Sequence, residues 1–215
     1  MKNDPKAALR QSYDKIAAAY GEHFADELQH KPVDRALLSR FAHDVSGRGR
    51  VADLGCGPGH IARYLHDAGL TDVFGLDLSP AMIEESRRRQ PHIAFEVGDM
   101  LALALPDAGL AGIVAMYAIV NIPREQLGAA FGEMQRVLQP AGKLLLSFHI
   151  GDETVHREEL FGAAVSMDFH FLQPAAIAQA LRQAGFDVEE IVEREPYAPE
   201  IEYQSRRAYV FAAKR

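Results

Sequence analysis

The sequence predicts an α/β fold, with a seven-stranded, mostly parallel sheet, helices on both faces and an antiparallel hairpin at the C-terminal end. Three observations carry this. Apolar runs of strand length alternate with amphipathic runs of helical period along most of the chain. The first run, VADLGCGPGH over 51–60, breaks into glycines at every second position and restarts as a helix. A second run, TDVFGLDL over 71–78, ends on Asp77, about twenty residues further on, where a doubly wound fold delivers its next strand end. A chain of 215 residues suits one such core, so 1–215 is read as one domain.

The elements follow in order. Residues 5–28 read as a helix, with Tyr13, Ile16, Ala17, Tyr20 and Phe24 at helical spacing, and 33–44 as a second. Val51, Ala52 and Leu54 are the end of a strand buried on both faces. Gly55, Gly57 and Gly59 turn the chain tightly into a helix whose first N–H groups face a crevice. After the strand 71–78, Ser79 and Pro80 supply the cap and first turn of a helix over 81–90, which leaves Asp77 free for a ligand. Residues 92–98, 110–120 and 143–150 are further strands, with a helix at 123–138 and a turn at QPAGK. A helix at 171–184 stops at Gly185, and 186–195 with 201–213 form the closing hairpin.

Residues 151–171 exceed what a tight connection needs, and long connections at the carboxyl edge of a parallel sheet commonly form the substrate wall or lid. The segment carries His156 and His170 among Phe161, Met167, Phe169 and Phe171, with His149 beside it. Apolar walls with a few polar groups fit a small organic acceptor. His149 is the first candidate for a base and His156 the second, with His149 and His170 as substrate contacts. Their spacing matches no metal signature, so no metal is expected.

Composition narrows the classes. The formal charge is −7, and the one basic run, Arg87-Arg88-Arg89, ends a helix, so nucleic acid is not an expected partner. The single cysteine, Cys56, suits a reducing compartment, and no stretch is apolar enough for a signal core or a membrane span. A cytoplasmic protein is expected.

The glycine spacing separates two cofactor classes. A nicotinamide dinucleotide fold wants G-x-G-x-x-G, but His60 stands where the third glycine would be. The pattern present, G-x-G-x-G with Asp53 two residues ahead, resembles motif I of the class I S-adenosylmethionine-dependent methyltransferases, a Rossmann-like family. RVLQPAGKLLLSF resembles the helix-turn-strand that follows motif IV in that family, and SYDKIAAAYGEHF the element that folds over the cofactor cleft of its small-molecule members. The resemblance implies S-adenosyl-L-methionine as cofactor, S-adenosyl-L-homocysteine as product, and methyl transfer to a small acceptor by in-line displacement. A protein or RNA target and a non-catalytic binding module are the alternatives.

The same resemblance implies roles. Asp53 takes the cofactor's amino group, Gly55, Cys56, Gly57 and Gly59 make room for its amino acid and ribose, and Asp77 holds the ribose hydroxyls. Met82 and Ile83 cover the adenine, which Asp99 and Met100 meet at its edge, and Leu78 is a further cofactor contact. Met116 lies against the cofactor, and residues 1–46 form a helical cover that brings Tyr13 and Tyr20 to the site. Tyr117 and Asn121, at the end of the fourth strand, face the substrate. Many members place a histidine around Asn121, which itself takes no proton.

Overall fold

The computed structural model describes residues 5–215. Its central sheet runs in the order β3-β2-β1-β4-β5-β9-β8. Here β1 is Val51–Leu54, β2 Val73–Asp77, β3 Ala94–Val97, β4 Leu110–Met116, β5 Leu138–His149, β8 Phe186–Arg194 and β9 Arg207–Lys214. All neighbours are parallel except β9, which is antiparallel to both β5 and β8. The strand order reverses between β1 and β4, and an open α/β sheet of this kind leaves a crevice outside the carboxyl ends of those two strands.

Among the described residues six α-helices surround the sheet: α1 Pro5–Phe24, α2 Pro32–Val45, α3 His60–Asp67, α4 Pro80–Arg89, α5 Leu127–Val137 and α6 Pro174–Gln183. One face carries Phe131, Met134, Ile177 and Leu181 of α5 and α6 against Ile113, Leu144 and Val210. The other carries Leu38, Phe41 and Val45 of α2 and Ile61 and Leu65 of α3 against Val114, Leu145 and Phe211. The α2 helix is thus a layer of the core, and the covering role expected of 1–46 falls to α1. Residues 1–4 of that range lie outside the described residues. Among the described residues no helix is long and apolar enough to cross a membrane.

Several boundaries differ from expectation. The fourth strand stops at Met116 because Tyr117 is left-handed (φ 54°), and Ile119–Asn121 form a 3-10 turn. Ile119 and Val120 are buried in the core, so the apolar run reported burial rather than extended backbone. The expected helix at 123–138 opens instead as a 3-10 turn, Arg124–Gln126, before α5. The strand expected from Lys143 begins at Leu138 and contains its own bend at Ala141 (φ 58°). The first helix ends at Phe24, followed by a 3-10 turn over Glu27–His30.

The largest difference is residues 151–171. They fold as a two-stranded antiparallel ribbon, β6 Thr154–Leu160 and β7 Ala163–His170, turning at Phe161 (φ 51°) and Gly162 (φ 74°). Two positive φ values in succession give the turn whose twist suits a tight hairpin. The ribbon docks on α1, where the Ser166 N–H donates to Ser12 Oγ at 2.9 Å and Lys15 Nζ to the Ala164 carbonyl at 3.0 Å. Ile16, Ala17, Met82, Val165 and Met167 form a small core between α1, α4 and β7.

Candidate functional site

A cavity of about 390 Å³ opens at the carboxyl ends of β1 and β4, roofed by α1 and the β6–β7 ribbon. Its floor is the turn after β1. The Gly55 and Cys56 N–H groups both donate to the Leu76 carbonyl, at 2.7 and 3.0 Å, which holds the turn against β2. Gly55 (φ 70°) passes so close to the loop after β4 that a Cβ there would sit 2.5 Å from Ala118 Cβ. Gly57 (φ 50°) faces the space itself, with the Tyr20 ring across from it. Gly59 does not line the cavity; it packs on the Phe95 ring and begins α3.

Asp53 lies on the cavity wall, almost wholly buried, and Oδ2 accepts the Ala62 N–H of α3 at 3.1 Å. Burial raises its carboxyl to about 7, against the opposing pull of His60 and of that N–H. Asp77 is not free, as the sequence suggested. Its Oδ2 accepts the Gly57 N–H and its Oδ1 the Ser79 N–H, both at 2.9 Å, so it ties the glycine turn to the start of α4. Burial raises this carboxyl too, although those two bonds favour its ionised form. A carboxylate offers about four acceptor positions, and the Gly57, Ser79 and Leu78 N–H groups do not use all of them. Ser79 does cap α4, accepting from the Met82 N–H at 3.1 Å, and its hydroxyl donates to Asp14 of α1 at 2.6 Å.

The cavity brings together Tyr13, Tyr20, Asp53, Gly55, Cys56, Gly57, Met116, Tyr117 and His149. Asp77, Leu78, Met82, Asp99 and Met100 do not line it. Met82 is buried against Ile16 and Ala17, and Asp99 accepts the Leu101 N–H at 2.9 Å and pairs with Lys6.

The histidines need correction. His149 lines the cavity, stacked on Phe171 at 5.1 Å with Nδ1 at 2.7 Å from Ser205 Oγ. Burial, helped by Arg207, lowers its pKa to about 3, so it stays neutral and is a weak base. His156 and His170 do not reach the cavity. Side chains on a strand alternate faces, and Val155, Arg157, Phe169 and Phe171 take the inner one. His156 pairs with Asp168 at 2.7 Å and His170 with Thr154 at 2.9 Å.

Asn121 also lies outside the cavity, and it acts as a clasp. Its Oδ1 accepts from the Tyr13 hydroxyl at 2.7 Å and its Nδ2 donates to the Asp168 carbonyl at 2.8 Å, joining the 3-10 turn after β4 to α1 and β7. Asn121→Ala removes both bonds and is expected to cost about 1–2 kcal/mol in urea unfolding. Amide exchange in α1 and β7 should quicken selectively. Unchanged exchange there would show that the clasp holds nothing.

Sequence reasoning missed one whole wall, a buried charge network. Lys31 Nζ pairs with Glu27 and lies 3.7 Å from Glu202, which also takes Arg194 at 2.5 Å and Arg207 at 3.2 Å. Arg194 reaches Asp34 at 3.1 Å, and the Tyr209 hydroxyl donates to the same carboxylate at 2.9 Å. Burial pushes Glu27 up, but His60 and Lys31 outweigh it and hold it at about 2. The one signal available was Arg207, a cation at the head of the apolar run AYVFAA.

Residues 51–142 match the family model described as a methyltransferase domain. Over that stretch, which is less than half of the chain, the sequence is similar to methyltransferase domains. It is 34% identical over 139 residues to the malonyl-[acyl-carrier protein] O-methyltransferase of Enterobacter lignolyticus, covering 65% of this chain and 52% of that protein. It is 30% identical over 138 residues to the demethylmenaquinone methyltransferase of Beutenbergia cavernae, covering 64% and 55%. The chain thus spans about half the length of the curated relatives it matches. The magnesium protoporphyrin IX methyltransferase of Synechocystis, solved with bound S-adenosylmethionine, shares the fold at TM-score 0.73 and 17% identity, over 99% of this chain and 98% of that one. In this chain the cavity lies at the reversal point of the sheet, over the glycine turn.

Proposed function

We propose that the protein transfers a methyl group from S-adenosylmethionine to a small organic acceptor by in-line displacement. One observation carries this reading: a single cavity runs from the glycine turn and Asp53 to a wall of Tyr117, His149, Phe171 and Tyr203, so cofactor and acceptor ends share one enclosed space. The residues fit the cofactor. A buried carboxylate stands at the amino-acid end, Gly57 keeps the wall bare, and Asp77 retains acceptor positions for ribose hydroxyls. Leu78, Met82, Asp99 and Met100 then take the adenine beneath α1, which is the element that admits it.

When bound, S-adenosylmethionine supplies an electrophilic methyl on a sulfonium. The chain aligns and dries the space: the Tyr20 and Phe24 rings of α1 meet at a tilt, 4.3 Å apart, over the glycine turn, and the ribbon closes the opposite side. His149 presents a neutral ring as a wall and takes no proton near neutral pH. The names of the relatives support a small acceptor group, since one is named for malonyl-[acyl-carrier protein] and another for demethylmenaquinone.

The test is release of S-adenosylhomocysteine on incubation with a metabolite panel. Turnover with a small acceptor supports the reading. Tight cofactor binding with no turnover on any acceptor would make the chain a binding module, and turnover only on protein or RNA would move the target to a macromolecule.

Asp53 adds a pH prediction. Its folded pKa, about 7, lies above the ordinary carboxyl value, so the folded protein binds more protons than the unfolded chain between roughly pH 4 and 7. Stability from this group therefore falls as pH rises through that window. Cofactor affinity should move the opposite way, rising from pH 6 to pH 8 as Asp53 ionises to meet an ammonium. Asp53→Asn should bind more weakly, with an affinity flat across that range. Calorimetry at several pH values checks both, and a wild-type affinity that does not change with pH would remove the amino-group assignment.

A further inference from the structure

We propose that the acceptor end of the cavity is built for an organic carboxylate and that Arg157 selects it. The proposal deepens the methyltransferase reading and rests on it. The acceptor wall is aromatic: the His149 and Phe171 rings stack at 5.1 Å, Tyr203 meets them edge-on at 6.0 and 6.2 Å, and Tyr117 lies 5.2 Å from His149. Such a wall takes an apolar or planar body.

The charges around it do not balance. Glu27 is met by Lys31 and His60, Glu202 by Lys31, Arg194 and Arg207, and Asp34 by Arg194. Every acid of that network already has a cation. Arg157 lines the same cavity, half-buried, and among the described residues no carboxylate pairs with it; its guanidinium lies 5.7 Å from the centre of the Tyr203 ring. At the other end of the wall, Arg207 sits 5.7 Å from the Tyr117 ring. Its Nη atoms are spent on Glu202, Ser205 and Tyr203, while the buried Nε–H has no partner. Two guanidinium groups therefore bracket the aromatic wall with donors in surplus and acids in deficit.

The ribbon arranges this. Residues 155, 157 and 159 of a regular strand would share a face, which would bring Glu159 in beside Arg157. The register shifts between Arg157 and Glu159, so Leu160 lines the cavity and Glu159 is turned out to solvent. A bulge re-aims side chains in this way, and here it keeps a carboxylate away from the arginine. A guanidinium in a partly dry pocket is matched by a carboxylate, which it holds through two parallel N–H donors.

The test uses the full chain loaded with S-adenosylhomocysteine, titrated calorimetrically with butanoate, octanoate, phenylacetate and cinnamate and with their primary amides. At least one acid should bind about tenfold to a hundredfold more tightly than its amide. Arg157→Gln should erase that preference, Arg157→Lys should keep part of it, and both should bind S-adenosylhomocysteine within about twofold of wild type. The proposal is overturned if no acid outbinds its amide, or if Arg157→Gln keeps the preference. It is also overturned if that variant loses S-adenosylhomocysteine affinity in step, because the arginine then holds the cofactor's own carboxylate. If the wild type does not bind S-adenosylhomocysteine, the cofactor reading falls instead, and the acid-against-amide titrations on the free protein still decide the arginine.

Discussion

Replacing Asp77 with alanine will weaken S-adenosylmethionine binding by about a hundredfold or more. The carboxylate holds two backbone N–H groups, of Gly57 and Ser79, and is the acceptor assigned to two ribose hydroxyls. Hydrogen bonds to a charged group are worth about 1.5–3 kcal/mol each, so loss of the ribose pair alone exceeds a hundredfold. The substitution also releases the turn from α4, so the floor of the cavity loosens together with the ligand contact. Asp77→Asn separates the effects. It keeps the shape and one acceptor oxygen but not the charge, and should fall between wild type and alanine. Calorimetry with thermal melting as a folding control reads the result, and near-normal affinity in a folded Asp77→Ala protein removes the ribose assignment.

Gly55→Ala will destabilise the fold by about 2–4 kcal/mol, because it meets two penalties at once. The residue is left-handed at φ 70°, which a side chain adopts only with strain, and its Cβ would sit 2.5 Å from Ala118 Cβ. Ala118 follows Tyr117, itself left-handed at φ 54°, so the clash pushes on the loop that sets the acceptor wall. For a chain of this length the melting temperature should drop by about 5–15 °C. The double variant Gly55→Ala/Ala118→Gly relieves the steric part and should recover some of the loss, leaving the backbone strain. A single variant that melts within about a degree of wild type would show that the two loops are not in tight contact.

Local rigid features were legible in the sequence. The glycine turn, Asp53 at the end of β1 and Asp77 at the end of β2 are fixed by spacing along short stretches, and the structure puts Asp53 and the turn on one cavity. What depended on facing direction was not legible. His156 and His170 sit one residue out of phase with the inner face of a ribbon that the sequence did not disclose, since its turn rests on a left-handed Phe161. The end of β4 was hidden for the same reason, a left-handed Tyr117 inside an unbroken apolar run. The Lys31, Arg194, Glu202 and Arg207 network joins segments more than 160 residues apart, and no local pattern announces such a convergence.

Everything proposed for the site depends on the cavity between the ends of β1 and β4 receiving S-adenosylmethionine. The measurement that tests it most directly is a crystal structure of the protein grown with S-adenosylhomocysteine. The ligand's amino group should lie within hydrogen-bond reach of Asp53, its ribose on Asp77 and its sulfur facing the Tyr117 wall. A ligand seated elsewhere, with Asp53 untouched in an ordered structure, would contradict it.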